Sequence, residues 1–146
     1  MIRKLTLFSV CVFEIALIFF AGMQSVSSNT FEPFENGVGI LCKIIEPKDN
    51  KEPLFFLFAE DRQSVSRLRF EKNHIRLSKT LKTEISANSI SWLDREGFSN
   101  TRYQLNRSTL ELSTNPGTRA CEAMSAKSLK EKADDYLLSS MSGNKI

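Results

Sequence analysis

Few residues in this 146-residue chain could carry out covalent chemistry. It has one histidine, His74, and three cysteines, of which Cys42 and Cys121 lie outside the apolar N-terminus. A nucleophile needs a neighbouring base, usually a histidine, and zinc needs several histidine, cysteine or carboxylate ligands. The sequence offers no spacing that would assemble such a set. We therefore predict a non-enzymatic protein with no catalytic residues, no metal site and no cofactor.

Paired carboxylates are the other groups that could act as acid and base. The chain has Glu60-Asp61, Asp94 near Glu96, and Asp134-Asp135. Adjacent residues of a strand point to opposite sides of the sheet, so they do not converge on one substrate. A small periplasmic enzyme that uses polar residues at the mouth of a barrel stays open as an alternative. A deep pocket that holds His74 or two carboxylates would favour it.

Cations are more concentrated than acids in the middle of the chain. Six lie between Arg67 and Lys82, opposed there only by Glu71. Alternation along neighbouring strands predicts one solvent-exposed basic face for an anionic partner, and a further arginine at a hairpin tip could grip a carboxylate or phosphate. The predicted binding residues are Arg67, Arg69, Arg76, Lys82 and Arg107. An ordinary solvated sheet face is the alternative interpretation. Nucleic acid is not a predicted partner, because Phe70 and Trp92 alternate inward and leave no stacking platform.

The N-terminus has the order of a secretory signal peptide. Arg3 and Lys4 precede an apolar run that continues to Met23, and small or polar residues follow it. This order predicts that residues 1–28 are removed on export, which leaves about 118 residues, enough for one domain with a modest core. A retained membrane anchor is the alternative, since the run approaches the ~20 residues that span a bilayer. Glu14 lies within the run, and a carboxylate in a spanning helix costs about 2.5–3.5 kcal/mol.

Cleavage would leave two cysteines in the mature chain. In the oxidising periplasm or outside the cell, an even pair is most simply a disulfide, so we predict a bond between Cys42 and Cys121. Two unpaired thiols in a reducing compartment are the alternative. Cleavage also lowers the formal net charge from +3 to about +2, which by itself indicates no polyanionic partner.

The elements that must position these residues are mostly short strands. After a polar leader over residues 29–37, apolar and polar residues alternate with period two between turn-forming stretches, and Leu54 to Phe58 is wholly apolar. We predict a mainly β domain over residues 38–121, an antiparallel barrel or sandwich of six to eight strands. From residue 122 to 142 the apolar period changes to three and four, which predicts an amphipathic helix with a capping box at Ser128 and Glu131.

The predicted hairpin carries a resemblance. Residues 103–109 read Tyr-Gln-Leu-Asn-Arg-Ser-Thr, with Trp92 before them and Cys121 after them. This pattern resembles small exported bacterial proteins of unassigned function, in which an aliphatic residue, Asn or Asp, Arg, any residue and Thr precede a turn and a near-terminal cysteine. Those proteins often have glycine after the threonine, where this chain has Leu110. The resemblance covers about residues 90 to 122 and implies a periplasmic β domain without naming an activity. More loosely, a small barrel with one disulfide is similar to the periplasmic lysozyme inhibitors.

Together these features predict a periplasmic or secreted protein that binds another molecule at the cell envelope. The partner is unknown from sequence beyond its class, an anionic envelope component or another envelope protein.

Overall fold

The computed structural model describes residues 34–45, 52–95, 100–115 and 117–143. The predicted signal peptide and residues 29–33 of the predicted leader lie outside them. The described residues form nine strands and one helix. These are β1 (Val38–Ile44), β2 (Leu54–Phe58), β3 (Ser64–Glu71), β4 (His74–Leu77), β5 (Leu81–Ile85), β6 (Ser89–Asp94), β7 (Thr101–Asn106), β8 (Glu111–Thr114), β9 (Gly117–Ser125) and α1 (Ala126–Ser142).

Eight strands close into an antiparallel barrel. The hydrogen-bonded order is β2-β1-β9-β8-β7-β6-β5-β3, and β3 pairs with β2 to complete the ring. Strand β4 is the ninth and extends the sheet outside the barrel through its pairing with the second half of β3. The predicted barrel with a C-terminal helix is therefore confirmed. We call the end where β1 finishes and β2 starts the upper end of the barrel, and the opposite end the lower end.

Aromatic rings fill the middle of the barrel. Phe56 lies 5.1 Å from Trp92 and 5.2 Å from Tyr103 between ring centroids, and Phe58 lies 5.3 Å from Trp92. All four side chains are at most 5% exposed. Because eight strands leave an interior that side chains can just fill, these rings close the centre of the barrel.

A second core lies outside the barrel, beneath the helix. Leu129 and Ala133 of α1 are fully buried against a group of apolar side chains on the outer face of β1 to β3: Leu41, Phe55, Leu57 and Leu68. Strand β2 is buried on both faces for this reason, since Phe56 and Phe58 point into the barrel while Phe55 and Leu57 point at the helix. That explains why its sequence is wholly apolar instead of alternating.

The helix starts later than predicted. Strand β9 continues to Ser125, which pairs with Val38, so the helix begins at Ala126 and not at residue 122. Ser125 is the N-cap, and its hydroxyl accepts a hydrogen bond from the Ser128 backbone N–H at 3.2 Å. The predicted capping box at Ser128 is therefore wrong by one turn.

The predicted disulfide joins two strands of the barrel. Cys42 of β1 and Cys121 of β9 are direct partners in the antiparallel register, and their sulfur atoms are bonded at 2.06 Å. Cys42 is fully buried among the barrel residues. The bond is therefore part of the barrel core as well as a covalent link across it.

Candidate arginine site at the upper end of the barrel

Three of the predicted binding residues share one face. Arg67 pairs with Phe56, and Arg69 pairs with Arg76. Directly opposed residues of an antiparallel pair point to the same side of the sheet, so all three arginines follow the direction of Phe56, towards the barrel interior. The opposite face of the same strands carries Leu68 and Phe70, which pack in the core beneath α1.

The position of these arginines differs from the prediction of an open, solvated face. Arg67 and Arg69 lie at the upper mouth of the barrel and are half-buried, while Arg76 on the β4 extension is exposed. Phe70 and Trp92 were both predicted to point inward. Trp92 does lie in the barrel core, but the Phe70 side chain points towards the helix. The predicted basic face therefore consists of two half-buried arginines on the interior side of β3 and one exposed arginine on β4.

Two carboxylates partly balance this charge. An Asp94 Oδ2 atom lies 3.6 Å from Arg69 Nη2, and the Asp94 residue is 8% exposed at the end of β6. Glu71 accepts from Arg76 Nε at 2.8 Å and lies 3.3 Å from His74 Nε2. The contact with Asp94 fixes the direction of Arg69 and indicates that it has a structural role in the mouth.

A fourth arginine, which the sequence analysis missed, joins the cluster from β9. Arg119 pairs with Leu112, an interior residue, and its Nη1 donates to the Glu52 carbonyl oxygen at 2.8 Å. Burial first, and the charge of Arg67 second, lower the pKa of Arg119, while Tyr103 opposes the shift. Arg119 lies two residues before the predicted cysteine Cys121 on a strand, so period two could have placed it on the interior face. We call Arg67, Arg69, Arg76 and Arg119 the arginine cluster.

The other two predicted binding residues lie elsewhere. Lys82 pairs with Ser64 while its neighbour Leu81 pairs with Val65, a barrel residue, so Lys82 points to the outer face of the barrel. Arg107 lies in the turn after β7 at the lower end, where Nη1 donates to the carbonyls of Ser86 at 3.1 Å and Ala87 at 3.2 Å. The four residues predicted to share one face therefore divide between two faces, and Arg107 lies apart from both in the turn between β7 and β8.

An open cleft of about 690 Å³ is lined by residues of β5, β6 and β7 and of the segment between β4 and β5. Two carboxylates line it, but Asp94 contacts Arg69 and Glu84 accepts from Arg102 at 3.0 Å. His74 is not among its lining residues. Its cations are Lys79, Lys82, Arg95 and Arg102.

The lower end holds a smaller pocket of about 230 Å³, which we call the lower pocket. Most of its wall is apolar and two arginines stand among its lining residues, which are Val38, Ile40, Phe58, Arg62, Ile90, Leu105, Arg107, Leu110 and Ala123. Leu110 has a φ of 54°. This left-handed geometry is the one that glycine adopts without strain.

Comparisons with protein-family models, with curated proteins and with solved structures found no match. Within the described residues, no group of three or more His, Cys, Asp or Glu side chains could hold a metal ion. None of the helical segments described is long and apolar enough to cross a membrane.

Proposed function

We propose that this protein is an exported, non-catalytic binding module of the cell envelope, and that the arginine cluster binds an anionic group of an envelope component. One observation supports this most directly. Arg67, Arg69 and Arg119 occupy interior positions at the upper end of the barrel, Arg76 continues the same face on β4, and among the described residues only Asp94 and Glu71 form ion pairs with this cluster. The mouth thus has an excess of positive charge where an anion could enter.

The chemistry of Arg67 and Arg119 also favours an anionic ligand. No carboxylate pairs with either side chain in the part of the chain that the structure describes, and the charge of Arg67 contributes to the lowered pKa of Arg119. A phosphate or carboxylate bound between them would replace that repulsion with two charge-assisted, bidentate interactions. Half-burial strengthens such contacts, because water and salt screen them less than on an open surface.

Binding of the mature protein to anionic vesicles tests this proposal. The probes are phosphatidylglycerol-containing vesicles and otherwise identical zwitterionic vesicles, compared by co-sedimentation over a range of salt concentrations. A basic residue near an anionic membrane contributes about 1 kcal/mol, so Arg67→Gln with Arg119→Gln should weaken binding by about thirtyfold. Salt should weaken binding of the native protein more than that of the double variant.

Lys82→Gln is the matched control, because it removes one positive charge from the outer face of the barrel and should change binding less than either single arginine variant. Arg69 is left unchanged, since its substitution would leave the buried Asp94 carboxylate without that contact. Circular dichroism must show that the double variant retains the native strand signal. Equal binding by native and double-variant protein, or equal binding to both kinds of vesicle, would remove the arginine cluster as the binding site.

Export is the second half of the proposal, and the Cys42–Cys121 bond supports it, since structural disulfides persist in oxidising compartments. Mass spectrometry of the protein from its natural host should find a chain that starts near Asn29 with both cysteines oxidised. An intact chain from Met1 would favour the membrane-anchored alternative. Two freely titrating thiols would place the protein in a reducing compartment.

A further inference from the structure

The lower pocket is separate from the arginine cluster. Along β6 and β7 the interior pairs form layers, with Asp94 opposite Thr101 at the mouth, Trp92 opposite Tyr103 in the middle, and Ile90 opposite Leu105 below. The rings of the middle layer are buried and in mutual contact. A ligand in the lower pocket would therefore lie beneath the aromatic layer and would not touch the arginine cluster.

The wall of the lower pocket suits a hydrocarbon chain. Val38, Ile40, Phe58, Ile90 and Leu105 supply its interior side chains, and all of them except Val38 are fully buried. Its volume of about 230 Å³ is below the 300–1,000 Å³ that drug-sized ligands occupy. At about 30 Å³ for each water-sized group, it has room for roughly eight such groups. The pocket is thus sized for a short chain.

Two guanidinium groups stand at the rim of this apolar space. Arg62 comes from the turn between β2 and β3, and Arg107 from the turn between β7 and β8. Neither forms an ion pair with a carboxylate among the residues that the structure describes. The two carbonyl contacts of Arg107 use only Nη1, so its Nε and Nη2 N–H groups remain available to a ligand.

We infer that the lower pocket binds a short-chain aliphatic carboxylate, with the chain beneath the aromatic rings and the carboxylate between Arg62 and Arg107. The apolar wall gains free energy for each methylene that it removes from water. The two arginines select an acid over an alcohol or an amine of the same length, since a carboxylate is itself charged and offers two oxygens, while an alcohol is neutral and an ammonium group has no acceptor. This site stands independently of the function proposed for the arginine cluster.

The single tryptophan provides the measurement. Trp92 contacts Phe58, which lines the pocket, so filling the pocket should change its fluorescence. We would titrate the mature protein with butyrate, hexanoate, octanoate and decanoate, and with octanol and octylamine. Affinity should rise about fourfold for each added methylene up to octanoate and then level off. Octanol should bind about tenfold more weakly than octanoate, and octylamine more weakly still.

Three variants locate the site. Arg62→Gln and Arg107→Gln should each weaken octanoate binding about tenfold while leaving octanol binding nearly unchanged. Ala123→Leu adds volume to the pocket wall without touching either arginine and should weaken octanoate and octanol alike. Lys43→Gln, which removes an exposed cation from the outer face of β1, is the charge-matched control and should bind octanoate like the native protein.

Each outcome decides the inference. Equal affinity for octanoate and octylamine, or no dependence on chain length, would overturn it, and so would the absence of saturable binding to native protein. Loss of octanoate binding in Arg67→Gln but not in Arg62→Gln would also overturn it, because the carboxylate would then lie in the arginine cluster. If Arg107→Gln loses its fold by circular dichroism, Arg62→Gln and Ala123→Leu still decide the result.

Discussion

Breaking the Cys42–Cys121 bond should remove a large part of the stability of the barrel. The bond closes a loop with a sequence separation of 79 residues, which includes every strand from β2 to β8. In the chain-entropy account, a cross-link stabilises the native state by restricting the unfolded chain, and more so for a longer loop. For a loop of this length the stabilisation is about 4.5 kcal/mol at 25 °C. Small domains have a free energy of unfolding of about 5–15 kcal/mol, so the reduced protein should be only marginally folded.

Urea unfolding, followed by circular dichroism with and without a reductant, measures this effect. With a urea m-value of about 1.5 kcal/mol per molar, a loss of 4.5 kcal/mol lowers the unfolding midpoint by about 3 M. Because Cys42 is fully buried, the reductant must be added to unfolded protein, which is then refolded with its thiols protected from oxidation. The doubly substituted Cys42→Ala, Cys121→Ala protein provides a second comparison. It should be less stable than the reduced protein, since it also leaves a cavity in the barrel core.

The reduced and oxidised proteins should also differ in the slope of the transition, because a cross-linked unfolded chain exposes less surface and has a smaller m-value. A midpoint shift of less than about 1 M, with free thiols confirmed by titration, would contradict the entropic account at this loop length. An equal m-value for the two forms would show that reduction does not change the expansion of the unfolded chain.

Two further substitutions test the packing of the helix and the geometry of a turn. A Cβ atom added at Gly39 would lie 2.5 Å from Leu129 Cβ, so Gly39→Ala should displace α1 and lower the free energy of unfolding, measured in urea, by about 1–3 kcal/mol. Gly143→Ala is the control, because the nearest atom to its added Cβ would be 3.6 Å away. Equal stability of the two variants would contradict the contact between Gly39 and Leu129. Lys72 has a φ of 44° and is exposed, so Lys72→Gly should relieve backbone strain and stabilise the protein by about 1 kcal/mol in the same assay. Asn73→Gly is the control. A fall in stability on Lys72→Gly, or an equal gain from both variants, would argue against strain at Lys72.

Much of the fold could be predicted from the sequence, because each strand carries its own apolar pattern and its own turns. The wholly apolar run from Leu54 to Phe58 indicates a buried strand, and the structure confirms it as β2. The start of the helix was harder to predict. The predicted cap was Ser128, with Glu131 three residues later, but the structure uses Ser125. The pairing of Ser125 with Val38 in the neighbouring strand β1 holds the residues before the helix in β9, and that is a tertiary contact.

The grouping of the basic residues shows where sequence reasoning stops. Within one hairpin, period two correctly placed Arg67, Arg69 and Arg76 on a common face. Lys82 belongs to a different pairing, with β5 against the first half of β3. The segment Ser78–Thr80 sets that register, and a slip of one residue reverses every side chain of a strand. No local pattern determines it, which is why the sequence predicted that Lys82 shares a face with the arginines, whereas Lys82 lies on the outer face and Arg67 and Arg69 on the interior face.

Along β3, the large apolar residues change from the interior face to the outer face, and this change accounts for the direction of the arginines. Val65 points into the barrel, but the next large apolar residues, Leu68 and Phe70, have the opposite parity and point to the helix. In a strand with one buried face, the large apolar residues all lie at odd or all at even positions. The switch from Val65 to Leu68 and Phe70 is therefore the sequence signal of a second core on the outside of the barrel. Once α1 covers Leu68 and Phe70, the alternate positions must turn inward, and Arg67 and Arg69 occupy them. Docking of the helix is therefore what brings positive charge to the mouth of the barrel, and a variant that displaces α1 should weaken anion binding without any change in the arginines themselves.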